Sequence, residues 1–236
     1  MSYLVCGTGA IGNALTRLLV QQGKRVIGAG RNAEKLNAMT PSQSIVCDFS
    51  KTSEVATIMS PELPKDLTGL AYCVGSAPLK PLRSASVPDM MEAFSLNAVS
   101  AVEVVRAAMP TLKKNRGSIV LFSSVAVQHG FNNHVIIGAA KGAVEGITRN
   151  LAADLSSSGV RVNCIAPSLT ANAAITASLT ANEKIAASIA AAHPLGRLGA
   201  PEDSAALAAF LLSSDDSSWI TGQVFACDGG RSSILR

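Results

Sequence analysis

The sequence predicts a doubly wound α/β fold, a seven-stranded parallel sheet with helices on both faces. Three observations carry that reading. Short β-rich runs alternate with longer stretches whose apolar residues recur at three and four, the β-rich runs are apolar almost throughout, and no Pro/Gly/Ser-rich linker divides the 236 residues. Alternation of this kind gives parallel strands joined by crossover helices, and continuous apolarity means that both faces of the sheet are covered. Right-handed crossovers then place ligands at the carboxyl ends of the strands.

The elements follow in order. Residues 3–6 form a short apolar strand that runs straight into a glycine turn, and residues 10–22 carry the helical period behind it. Residues 25–29 and 44–47 read as the second and third strands, and residues 70–74 as the fourth. A long helical pattern covers 90–112, a strand 118–123, a second long helix 138–155, and strands 160–165 and 223–226 complete the seven. The segment 168–194 is Ala-rich, and Ser168-Leu169-Thr170-Ala171-Asn172 recurs as Ser178-Leu179-Thr180-Ala181-Asn182. Its place after a strand makes it a candidate substrate lid, with a surface helix pair as the plainer alternative.

Composition excludes several classes. Hydrophobic residues are 48% and charged residues 15%, which rules out a disordered chain. No run approaches the roughly 18 apolar residues of a membrane span, so a cytoplasmic protein without membrane contact is expected. The charge of +4 comes from 20 basic and 16 acidic residues that are scattered, and Lys113-Lys114-Asn115-Arg116 reads as a solvated helix end. Aromatics at 4% are too few for base-stacking platforms, so no nucleic-acid partner is expected. Five cysteines without CxxC spacing read as reduced packing residues, and no metal site is expected.

Gly7-Thr8-Gly9-Ala10-Ile11-Gly12 sits between a strand and a helix, the context that gives a GxGxxG pattern its meaning. Gly7 allows the tight turn, Gly9 lets backbone approach a pyrophosphate, and Gly12 lets helix and strand pack closely. The whole chain, 1–236, therefore reads as a single dinucleotide-binding domain. The second strand ends at Gly30-Arg31-Asn32 with no acid to bind ribose hydroxyls, whereas Arg31 can pair with a 2′-phosphate, so NADP is expected over NAD. Asp48 after the third strand is placed to accept from an adenine amino group, and local sequence fits a helix cap equally well.

These residues, with Leu96-Asn97-Ala98-Val99-Ser100, Ile119-Val120-Leu121-Phe122-Ser123-Ser124, Val160-Arg161-Val162-Asn163-Cys164-Ile165-Ala166-Pro167 and Gly222 through Asp228-Gly229-Gly230, resemble the short-chain dehydrogenase/reductase family over nearly the whole chain. The resemblance implies a Rossmann-like domain, a homodimer or homotetramer, that exchanges hydride between a nicotinamide and an alcohol or carbonyl. It aligns Asn97, Ser124 and Lys141 with three of the four usual catalytic residues and places Ile137 where the tyrosine stands. It also counts Ile11, Asn32, Phe49, Gly75, Lys141 and Pro167 with the cofactor contacts. An isoleucine cannot transfer a proton. His134, one turn before Ile137, is the candidate replacement acid, although Asn132-Asn133-His134 also reads as a loop and cap. The sequence thus predicts an NADP-dependent oxidoreductase acting on a small carbonyl or alcohol with an atypical proton donor. The alternative is a catalytically silent NADP-binding structural or regulatory protein.

Overall fold

The computed structural model describes residues 1–172 and 181–235. Seven parallel strands form one sheet: β1 (Ser2–Cys6), β2 (Arg25–Gly30), β3 (Gln43–Val46), β4 (Leu67–Tyr72), β5 (Ser118–Phe122), β6 (Arg161–Pro167) and β7 (Val224–Cys227). Their spatial order is β3-β2-β1-β4-β5-β6-β7, so the direction of winding reverses between β1 and β4. That reversal opens a crevice at the carboxyl ends of the strands. The seven-stranded, all-parallel sheet matches the fold class read from the sequence.

The helices are α1 (Ala10–Gln21), α2 (Ala33–Ala38), α3 (Thr52–Met59), α4 (Val87–Phe94), α5 (Ser100–Asn115), α6 (Val135–Ser156), α7 (Glu183–Ala191) and α8 (Pro201–Leu212). Two large apolar cores flank the sheet, and a smaller cluster of Ala93, Ile136 and Ala140 joins α4 to α6. Leu4, Ile27, Leu70, Ile119 and Val162 point toward one face, where α3, α5 and α6 cover them. Val5, Val26, Val120 and Ile165 point to the other, under α1 and α8. Residues adjacent in a strand thus feed opposite cores, which is why the strands read as unbroken apolar runs. Burying such a Leu or Ile contributes about 1.5–3 kcal/mol each.

Two expectations need correction. β4 begins at Leu67, earlier than the expected residue 70, and ends at Tyr72. The strand includes Gly69, where a Cβ would collide with the Tyr3 ring. A glycine chosen for that close approach hides the strand's start from propensity. The single helix expected over 90–112 is interrupted: α4 stops at Phe94, Ser95–Val99 form a π-helical turn, and α5 follows. The Ser100 N–H donates to the Ser95 carbonyl, five residues back. The Leu96 carbonyl accepts the Tyr72 hydroxyl at 2.8 Å. Such an inserted residue re-aims the helix face that carries Asn97. Of the expected lid segment 168–194, residues 173–180 lie outside the described residues, including Ser178-Leu179-Thr180 of the second copy of the repeat. All five cysteines are free thiols, three buried and two half-buried.

Candidate active site

The glycine turn follows directly from β1. Gly7 has φ +107°, and its N–H donates to the Ala29 carbonyl at 2.7 Å, holding the turn against the end of β2. A Cβ on Gly7 would fall 2.9 Å from the Cys73 carbonyl carbon, and one on Gly12 would overlap the Gly7 carbonyl. At Gly9 the space is open, with nothing within 4 Å of a Cβ. Gly9 is also the N-cap of α1, with no side-chain cap and no acid in the first turn. A helix N-terminus left bare behind an open glycine suits a diphosphate. Ile11 is half-buried against the core beneath, so what it offers a ligand is a packed base for the turn.

At the end of β2, Arg31 is exposed and forms no ion pair among the described residues. Asn32 caps α2, its Oδ1 accepting from the Lys35 N–H at 2.8 Å, which leaves only its amide N–H groups for a ligand. Asp48 Oδ1 accepts from the Ser50 hydroxyl at 2.8 Å and the Ser50 N–H at 3.0 Å. Those bonds, with the Arg31 charge as a lesser cause, hold the carboxyl below its usual range. Asp48 is not the helix cap that local sequence allowed: it closes a turn onto Ser50, and the N-cap of α3 is Lys51, with no side-chain cap bond. Phe49 is buried, its ring edge-on to that of Tyr72 with centroids 5.7 Å apart, and its carbonyl accepts from the Ser100 hydroxyl.

Three candidates meet between β4 and β5. A Cβ on Gly75 would lie 2.6 Å from Asn97 Oδ1 and 3.3 Å from Lys141 Nζ, so this position has room only for glycine. Asn97, in the π-helical turn, is buried; its amide donates to the Ala93 carbonyl at 2.8 Å and to Ser76 Oγ at 3.2 Å. It fixes the loop after β4. Lys141 is buried on α6, and its ammonium donates to the Phe122 carbonyl at 2.8 Å. Burial lowers it from 10.5 to about 8, an effect that the neighbouring Cys164 and Cys73 only partly oppose. Both thiols are themselves pushed up to about 12 by burial and stay neutral. Ser124, just past β5, is half-buried; its Oγ accepts from the Ala126 N–H at 3.2 Å, leaving the hydroxyl hydrogen to donate elsewhere. Ile137, one turn before Lys141 on α6, is 3% exposed. Pro167 closes β6 in register with Cys227.

Residues 7–232 match the family model described as enoyl-(acyl carrier protein) reductase. The chain belongs to the short-chain dehydrogenase/reductase family. A tropinone reductase homologue of Arabidopsis thaliana is 35% identical over 236 residues, 95% of this chain and 89% of its own. A protein of Xanthobacter autotrophicus named inactive 2-(S)-hydroxypropyl-CoM dehydrogenase 2 is 37% identical over 172 residues, 71% of this chain and 74% of its own. Among solved structures, a candidate NAD(P)-dependent gluconate 5-dehydrogenase from Beutenbergia cavernae with NADP bound at low occupancy superposes with TM-score 0.92. It is 29% identical and covers 99% of this chain and 97% of its own.

As a family member the chain is an oxidoreductase of the NAD(P)-using, nucleotide-binding kind, and no helix among the described residues is long and apolar enough to cross a membrane. The bare turn at Gly9, the unpaired Arg31 and the buried Lys141 fit a dinucleotide. His134 stands apart from this cluster. It occupies the N-cap position of α6 without a side-chain cap bond, and its Nδ1 lies 2.7 Å from the Asn132 carbonyl. A carbonyl only accepts, so Nδ1 carries a proton there and Nε2 is the free nitrogen. No hydrogen bond joins His134 to Ser124 or Lys141 among the described residues, and seven helical residues put it about 10 Å along the axis from Lys141.

Two buried polar groups were not singled out from the sequence. Glu145, one turn beyond Lys141, accepts from the Ser123 hydroxyl at 2.9 Å. His193 is 1% exposed, with Nε2 2.8 Å from Ser168 Oγ and Nδ1 2.7 Å from the Ile189 carbonyl. It ties the end of α7 to the chain leaving β6. His193 carried no signal in the sequence, because its partner is 25 residues away.

Proposed function

We propose that the protein is an NADP-dependent oxidoreductase acting on a small carbonyl or alcohol, with a proton donor other than a phenol because Ile137 stands at the tyrosine position. The observation that carries this reading is the meeting of Gly75, Asn97 and Lys141 on the same rim of the sheet as the open glycine turn. Gly7, Gly9, Gly12 and the α1 N-terminus would hold the diphosphate, Arg31 the 2′-phosphate, Asp48 and Phe49 the adenine edge, and Lys141, Gly75 and Pro167 the nicotinamide half. When bound, the nicotinamide supplies or accepts hydride. Ser124 orients the substrate oxygen by donating its free hydroxyl hydrogen, Lys141 holds positive charge beside it, and Asn97 keeps the loop at Gly75 in place. His134 Nε2 is the candidate proton carrier.

The bound NADP of the Beutenbergia cavernae protein and the missing acid after β2 support NADP over NAD. Titrating NADPH and NADH, then offering a panel of carbonyls, tests the reading. Arg31→Ala is expected to weaken NADPH by about 1.5–3 kcal/mol and NADH little, since one charge-assisted contact is lost. Equal affinities in the unaltered protein count against it. NADPH binding with no turnover across the panel favours the silent nucleotide-binding alternative, which Ile137 also supports.

The protein is further expected to be a homodimer or homotetramer through α5 and α6, two long helices rich in small and apolar residues, among them the half-buried Ala107, Ala143 and Ile147. Sedimentation at micromolar concentration reads this directly, and a 24.2 kDa species would remove it.

A further inference from the structure

Arg231, in the turn after Gly229–Gly230, places its guanidinium carbon 5.1 Å from the centroid of the Phe131 ring. Its Nη1 is shut off from solvent and has no hydrogen-bond partner among the described residues. No carboxylate lies within ion-pair distance of Arg231 among the described residues. Asp228, the nearest acid in sequence, spends its two oxygens on the Gly230 N–H at 2.9 Å and the Ser232 N–H at 2.8 Å. A buried donor without an acceptor is costly, and proteins rarely retain one that nothing completes.

The surroundings say what would complete it. Phe131 also meets the His134 ring, 5.4 Å between centroids, and His134 opens α6. That 22-residue helix has no side-chain cap and no acid in its first turn. Beside it, the Lys80 N–H docks on the Asn133 carbonyl at 3.1 Å, and the Asp89 carboxylate is taken by the Lys80 ammonium at 2.7 Å. The Phe131 ring thus links an arginine with an orphaned nitrogen to an imidazole that stands at a bare helix N-terminus.

We propose that Arg231 is a specificity residue that binds an oxyanionic group, a carboxylate, sulfonate or phosphate, at the far end of the carbonyl substrate. The proposal rests on the reading of Ser124 and Lys141 as parts of a reductase site, which leaves the substrate open. A guanidinium donates charge-assisted hydrogen bonds to such an anion, and the aromatic face of Phe131 fixes the plane of the Arg231 group.

The test uses the full chain saturated with NADPH. A ladder of oxocarboxylates of increasing length, the matching oxosulfonates and oxophosphonates, and the neutral methyl esters of the acids are titrated by calorimetry and then assayed for reduction. One length of anion is expected to bind at least about 10-fold more tightly than its ester. Arg231→Gln should weaken that anion about 10- to 100-fold, seen in KM more than in kcat, and leave the ester and NADPH unchanged; Arg231→Lys should recover part of the loss. The anion series that binds identifies the source of the charge. Equal binding of acid and ester, or a glutamine variant that weakens both alike, overturns the proposal and leaves the reductase reading standing. Failure of NADPH to bind strikes the reductase reading instead, and the acid-against-ester comparison is then decided by thermal shift on the chain alone.

Discussion

Ile137→Tyr is expected to create carbonyl reductase activity, or raise it, by about 10²–10⁴, the usual worth of a positioned general acid. The place is already built. Position 137 is one turn before Lys141 on the same face of α6, and the Lys141 ammonium is anchored on the Phe122 carbonyl, where it favours ionisation of a neighbouring phenol. Ser124 keeps its hydroxyl hydrogen for the substrate oxygen. The isoleucine is 3% exposed, so the larger ring must find room, and overpacking of this kind costs about 1–3 kcal/mol. A thermal melt and an NADPH titration on the variant separate that cost from the chemistry. Normal NADPH binding with no turnover on a broad panel would sink the idea of a retained reductase site and put the silent alternative ahead. His134→Ala is the companion experiment: an unchanged rate in an otherwise active protein removes His134 as the acid and leaves a bound water or the substrate itself to supply the proton.

What the sequence revealed and what it hid divide along the range of the interactions. The Gly7–Gly12 turn was legible because its requirements are local: a positive φ, a close approach and a helix start fall within six residues. The alternation of strands and helices was legible for the same reason, since burial on both faces writes itself into each strand separately. The start of β4 was not, because Gly69 answers to the Tyr3 ring on the neighbouring strand. Nor was the break at Ser95–Val99, where apolar spacing continues across the π-helical turn and the Leu96 carbonyl takes the Tyr72 hydroxyl from β4. Asn97 was located by its motif alone; that its amide holds Ser76 and Ala93 is a tertiary fact. Glu145, His193 and the orphaned Arg231 nitrogen share that character, because each is defined by a partner, or the lack of one, far away in the chain. Fold and cofactor cradle are thus written locally, and the substrate end of the site is not.

Lys141→Met is expected to stabilise the cofactor-free protein while crippling the site, and the opposite signs are what make the result decisive. The ammonium titrates at about 8 in the fold against 10.5 when unperturbed. Between those values the unfolded chain holds a proton that the folded chain has released, so stability rises with pH across that window and is lost as pH falls through about 8. At pH 7 the buried charge therefore costs about 3 kcal/mol. Methionine removes the charge and keeps the length, but leaves the Phe122 carbonyl without its donor, at about 1 kcal/mol or more. A net gain of about 1–2 kcal/mol in denaturant unfolding at pH 7 should result, fading above about pH 10. NADPH affinity should fall about 10- to 100-fold in the same variant, as a charged donor to the nicotinamide ribose is lost, and in the unaltered protein it should weaken as pH rises past about 8. A variant less stable at pH 7 than the parent would mean that the ammonium has a compensating partner in solution, and an unchanged NADPH affinity would take Lys141 out of the cofactor site. Both outcomes can be read without turnover, so the lysine's part in the site is decided independently of which substrate the protein takes.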